Sequence, residues 1–317
     1  MQTGQASGLS LGQATRDAFG EALKDLGANH PDVVVVDGDV GNSTRTEVFA
    51  KAYPDRAFNV GIAESNMVSV AGGLAASGKT PVVASFACFL MCNAYDQIRM
   101  SVAFPRLNVK LVGSHAGISI GEDGPSQMGI EDVALACALP GVSVIVPADG
   151  VSTKQATRAM LEHDGPVYLR LGRPKVPVIY KENCDFEIGR SIQVREGTDV
   201  TVIANGLMVG LAIDAAATLA GDGCSVRVID MHTVKPIDRE AIAKAAEETA
   251  RIVVAEEHLA QGGLGAAVAS VVVHEAPVPM RFVNLGDTFA ESGDPGGLLT
   301  KYGLTAEAIV EQVKSLL

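Results

Sequence analysis

Short runs of β-branched and other apolar residues alternate along the chain with longer stretches of helical period, the pattern of a parallel sheet covered by helices on both faces. In the first half this pattern predicts a helix from about Leu11 to Gly27, a strand over Val33 to Val36, a helix over Glu64 to Ala76 and a strand over Pro81 to Ala84. A helix over about Met91 to Ala103, a strand over Val109 to Val112 and a short helix near Ile130 follow. The half closes with a strand over Val142 to Val146, a helix over Gly150 to Glu162 and a strand over Val167 to Leu171. Ser10 and Gln13 have the spacing of a capping box for the first helix.

Between Gly172 and Thr198 the period breaks into a segment with two prolines and clustered charges, which reads as a linker with room for a hairpin. A second unit then predicts strands over Val200 to Ala204, Ser225 to Ile229, Ile252 to Ala255 and Arg281 to Val283. Its helices are expected over Leu207 to Leu219, Arg239 to Glu247, Ala266 to Val273 and Ala306 to Leu316. The expected fold is α/β: two doubly wound domains with mainly parallel sheets, residues 10–174 and 198–317, joined by a linker at 175–197.

Composition narrows the function. The 317 residues carry 25 basic and 37 acidic side chains, a net charge of −12 that opposes nucleic acid and anionic membranes alike. A phosphorylated ligand would therefore need a local basic pocket. No apolar run is long enough for a membrane span, and the start lacks a basic-then-apolar leader, so a cytoplasmic protein is expected. Five cysteines without a CxxC pair read as reduced thiols used in packing.

In an open parallel sheet, ligands bind beyond the carboxyl ends of the strands. The loops at those ends hold the unusual residues: DGDVGNST at 37–44, NVGIAESNM at 59–67, SFACFLMCNAYDQIR at 85–99, GSHAGISIGEDGPSQMGIED at 113–132 and GRPK at 172–175. Glu64, at a helix start among Ile62, Ala63 and Met67, would be partly desolvated; this favours a protonated carboxyl able to donate to a ring nitrogen. Phe86 and Phe89 stand four positions from end to end in a chain with 4% aromatic residues, as a stacking surface for a flat ring. Arginines such as Arg16 and Arg173 present the planar fork that fits phosphate oxygens.

Taken together, GIAESNM, the phenylalanine pair and GEDGPSQ resemble the transketolase family, over nearly the whole chain from about Leu11, in the portion with the pyrimidine-binding and carboxy-terminal domains. The resemblance implies thiamine diphosphate as cofactor, with Glu64 on its aminopyrimidine ring, Phe89 and Phe86 packed on that ring, and Asp39 nearby. It also implies that Arg16, Ser43, His115 and Arg173 contact the phosphate end of a sugar substrate, and that His115 and Asp123 bind its reacting hydroxyls. Gln127 departs from the pattern: many transketolases carry histidine there, and an amide bonds but does not titrate. Tyr95 and Arg170 read as structural, and GGLG at 262–265 as a site of close helix packing.

The family binds the cofactor's diphosphate and its Mg2+ through a GDG motif followed downstream by asparagine. Here GDG occurs only at 221–223, between a helix and a strand, and no asparagine lies within about 246–254. The resemblance therefore implies the small subunit of a split transketolase, whose large partner supplies the diphosphate domain and the Mg2+ ligands in an α2β2 heterotetramer, and no metal ligand from this chain. The expected reaction is transfer of a two-carbon ketol unit from a ketose phosphate to an aldose phosphate. Two alternatives share the domain plan: the β subunit of a 2-oxoacid dehydrogenase first component, and a catalytically inactive assembly subunit.

Overall fold

The computed structural model describes residue 4 and residues 6–317. Its fourteen strands among the described residues are, in chain order, β1 (Leu11–Ala14), β2 (Val33–Asp37), β3 (Ala57–Asn59), β4 (Thr80–Phe86), β5 (Lys110–Ser114), β6 (Ser143–Ile145), β7 (Val167–Arg170), β8 (Lys175–Pro177), β9 (Ile192–Arg195), β10 (Val200–Ala204), β11 (Val226–Asp230), β12 (Thr233–Lys235), β13 (Ile252–Ala255) and β14 (Met280–Val283). One sheet has the order β12-β6-β7-β5-β4-β2-β3 and a second β14-β13-β10-β11-β9. Both are parallel except at one edge each, where β12 and β9 run antiparallel to their neighbours.

The apolar runs explain the sheets. Val33 to Val36 are all buried in β2, as parallel strands covered on two faces require. Helices Glu64–Ala76 and Gly150–Glu162 start and stop where the sequence pattern places them. Asp149 fixes the second start: its carboxylate accepts from the Ser152 amide at 2.8 Å, and the Ser152 hydroxyl accepts from the Asp149 amide at 3.0 Å.

Three expectations are corrected. The helix expected from Leu11 begins at Thr15, and Ser10 with Gln13 forms no capping box; Leu11–Ala14 is instead β1, paired antiparallel with β8. Partners from the far end of the first unit thus outweigh local helical period. The Thr15 hydroxyl locks the joint by accepting from the Gly172 amide at 2.8 Å. The segment at 172–198 folds no hairpin: β8 pairs with β1, and β9 pairs with β11. The helix expected over Met91 to Ala103 is a single α-turn, Tyr95–Ile98, flanked by wide π-type turns at Phe89–Asn93 and Arg99–Ala103.

The two units share their cores. Val36, Val83 and Leu111 belong to the same apolar cluster as Ile203, Ile229 and Ile252, and Phe86, Ile118 and Ile120 to the same cluster as Met208 and Val209. β12, from the second half of the chain, completes an edge of the first sheet. None of the five cysteines is bridged, and burial pushes the Cys88 and Cys137 thiols up to about 12, so both are inert at neutral pH. No helix among the described residues is long and apolar enough to cross a membrane.

Candidate active site

The carboxyl ends of adjacent strands β4 and β5 converge, because the register pairs Phe86 with Ser114. That pairing brings the residue after β5, His115, onto Phe86: the rings stack at 4.0 Å with 15° between planes. Phe89, at the first π-type turn, extends the wall, parallel to Phe86 within 6° and 5.6 Å away. The outer ring of such a stack presents a flat apolar face to a planar group.

Glu64 opens its helix directly after a turn in which Gly61 has a φ of 77° and the Ala63 amide donates back to the Gly61 carbonyl. The side chain is 7% exposed. Its Oε1 accepts from the Ser85 hydroxyl at 3.3 Å, while Oε2 has no hydrogen-bond partner among the described residues. A buried carboxyl with one free oxygen fits an aminopyrimidine nitrogen. The donor set in this chain therefore suits the ring end of thiamine diphosphate.

His115 is 3% exposed, with a positive φ of 57°. Arg16 Nη1 lies 2.8 Å from its Nε2, and Ser114 Oγ lies 2.8 Å from its Nδ1. A guanidinium only donates, so Nε2 accepts and Nδ1 carries the proton toward the serine. Burial, reinforced by Arg16, Arg173 and Arg45, pushes the imidazole down to about 3 and keeps it neutral. The same hydrogen-bond path continues from the Ser114 hydroxyl to the Ser85 carbonyl at 3.5 Å, and Ser85 is the residue that holds Glu64.

The basic residues ring this imidazole. Arg16 also donates to the Ser43 carbonyl at 3.1 Å, and its buried Nε is unpartnered; desolvation and Arg45 lower its pKa. Arg173 donates to the Ile120 carbonyl at 2.7 Å and lies 3.7 Å from Asp123. Arg45, which the sequence reading missed, pairs with Asp17 at 2.6 Å. Three guanidiniums thus bear on one neutral imidazole, with Asp17 beside Arg45 and Glu122 and Asp123 beside Arg173.

The fold thus gathers Glu64, Phe86, Phe89, His115, Arg16, Arg173 and Asp123, with Ser43 present through its carbonyl. Asp39 accepts from Asn59 at 2.8 Å and lines a cavity of about 420 Å³ with Asp37, Thr46 and Phe58; the Asn59 side chain also accepts from the Gly61 amide in the turn that leads to Glu64. Tyr95 donates to the Leu135 carbonyl, and buried Arg170 donates to Asp132 at 2.8 Å, as packing residues. Gln127 ends a short 3-10 turn beside Asp123, and its side chain makes no hydrogen bond among the described residues. Ser85 and Ser114 were also missed; nothing in the sequence marks them except their places at the ends of β4 and β5.

Comparison with known proteins gives this arrangement a family. Residues 12–178 match the transketolase pyrimidine-binding domain and residues 189–309 the transketolase C-terminal domain. The 6-deoxy-6-sulfo-D-fructose transketolase subunit SqwH of Clostridium sp. is 41% identical over 93% of this chain and 92% of its own length. Mouse transketolase is 42% identical over 96% of this chain, which spans 49% of that enzyme. A solved structure described as a split gene transketolase, inactive beta4 tetramer, superposes with a TM-score of 0.89 at 45% identity, covering 96% of this chain and 98% of that one. The chain belongs to the transketolase family, as its pyrimidine-binding and C-terminal domains.

Proposed function

We propose that this chain is the small subunit of a two-subunit, thiamine-diphosphate-dependent transketolase that moves a two-carbon ketol unit from a ketose phosphate to an aldose phosphate. The observation that carries the reading is the unbroken line of contacts from Glu64 through Ser85, Ser114 and His115 to Arg16, which joins a ring-binding acid to an anion site. When bound, thiamine diphosphate supplies a nucleophilic carbon that breaks and remakes the carbon–carbon bond. Glu64 presents Oε2 toward the aminopyrimidine, and Phe86 with Phe89 fixes the ring plane. Arg16 and Arg173 hold the sugar phosphate, and the Ser43 carbonyl orients Arg16 by accepting from it. Once phosphate draws Arg16 away, His115 Nε2 is free to accept from a substrate hydroxyl, and Asp123 accepts from another.

The diphosphate end of the cofactor and its Mg2+ fall to a large partner subunit in an α2β2 assembly. The split-gene neighbour, described as an inactive assembly of four β chains, supports that requirement for its own relative. The unbridged thiols suit a reducing compartment such as the cytoplasm. Reconstitution with the large subunit, thiamine diphosphate and Mg2+ tests the reading. Ketol transfer from a ketose phosphate is expected, and pyruvate decarboxylation with no ketol transfer would replace it with the 2-oxoacid dehydrogenase alternative.

A further inference from the structure

The segment that presents His115 and Asp123 is held largely by the other half of the chain. Gly117 has a φ of 81°, and a Cβ added there would lie 2.1 Å from the carboxyl carbon of Glu257. The Ser119 amide donates to Glu257 Oε1 at 2.6 Å, and Glu257 is 5% exposed. Further along, Gly121 and Gly124, also at positive φ, abut Pro295 and Ser292 so closely that a Cβ would meet them at 2.7 and 2.3 Å. A stretch containing Gly117, Gly121 and Gly124 has high backbone entropy, so its order must come from contacts outside itself.

Those contacts lead to the anion site. Glu257 follows β13 by two residues, at the carboxyl end of the second sheet. Arg170 Nη2 donates to the Glu257 carbonyl at 2.9 Å and to the Gly129 carbonyl at 3.0 Å, and the Gly117 amide donates to that same Gly129 carbonyl at 2.7 Å. At the other end of the turn the Ile120 carbonyl makes the shortest contact of Arg173, at 2.7 Å. One carboxyl therefore braces the chain at 117–119, between His115 and the Ile120 carbonyl that accepts from Arg173.

Resting on the transketolase reading above, we propose that Glu257 is a positioning residue. Its carboxyl fixes the turn at 117–120 and thereby the His115 ring and the Ile120 carbonyl that aims Arg173 at the sugar phosphate. The geometry makes the C-terminal unit a mould for the substrate loop. An unmet amide at Ser119 in so buried a place is expensive, so losing the acceptor frees the turn instead of leaving it in place.

Hydrogen exchange on the full chain and kinetics of the reconstituted complex test this together. In Glu257→Ala, amides 117–121 should exchange at least tenfold faster while those of β2 and β4 keep wild-type rates. Glu257→Gln retains an acceptor and should stay within about threefold of wild type. In the complex, Glu257→Ala should raise the ketose phosphate KM at least fivefold and leave thiamine diphosphate affinity within twofold, with Glu257→Gln restoring the KM. Equal exchange at 117–121 in wild type and Glu257→Ala overturns the positioning role whatever the activity, as does a Glu257→Gln variant as loose as Glu257→Ala. A wild-type complex without ketol transfer, whose Glu257→Ala chain still loosens at 117–121, overturns the functional reading while upholding the role of Glu257 in ordering the turn.

Discussion

Arg16 donates to Nε2 of His115 at 2.8 Å, so a permanent cation and a histidine share one hydrogen bond with the histidine as acceptor. This relationship fixes the tautomer of the ring and, with burial, removes its charge.

The first prediction concerns that ring. With its ionisation pushed down to about 3, His115 should show no titration between about pH 5 and 9 when its ring resonances are followed by NMR. The sign follows from linkage: the folded state disfavours the imidazolium, so this group's contribution is complete above its usual value and fades only as pH falls toward 3. Arg16→Ala should raise the midpoint but leave it below the usual histidine range, because burial is the larger cause.

Arg16→Ala should also weaken the phosphate site. A charge-assisted hydrogen bond is worth about 1.5–3 kcal/mol, so the KM for a ketose phosphate is expected to rise roughly 10- to 100-fold. A nonphosphorylated ketose should be little affected, and comparing the two donors checks the assignment.

Glu64→Ala should cut ketol transfer by about 10²- to 10⁴-fold in the reconstituted complex, the range for loss of a positioned acid or base. Full rate in that variant would remove the central acid from the mechanism.

Below the active site, Asp132 and Arg170 are 1% and 7% exposed, and Asp132 also accepts from the Tyr168 hydroxyl at 2.7 Å. Asp132→Ala would strand a buried guanidinium and a buried phenol. Urea unfolding should register a loss of about 3–5 kcal/mol, against little loss of a surface pair such as Lys51 with Glu47.

Between the units, Asp230 is fully buried and accepts from Tyr180 at 2.7 Å, and burial pushes its carboxyl up to about 8. The folded chain therefore holds this proton more tightly than the unfolded chain does. That advantage is complete below the usual 3.8 and is lost as pH rises through 8. Asp230→Asn removes the dependence, so the melting temperature of the variant relative to wild type should climb steadily from about pH 5 to 8. A constant difference across that range would refute the assignment.

The sequence by itself determined the local grammar. Apolar runs such as Val33 to Val36 can only be satisfied in covered strands, and GIAESNM, the phenylalanine pair and GEDGPSQ fall in the loops at strand ends. Glu64 opening its helix was legible because the signal lies within a few residues. Tertiary structure alone decided what depends on distant partners: that Leu11–Ala14 is a strand, since its mate is β8, and that β12 edges the first sheet. It alone decided that Asp39 accepts from Asn59, that Arg45 joins the basic ring, and that Ser85 and Ser114 link the acid to the histidine. Hydrogen bonds and desolvation are set by which atoms meet across the fold, and those meetings join residues far apart in the chain: 138 positions for Ser119 and Glu257, 157 for Thr15 and Gly172.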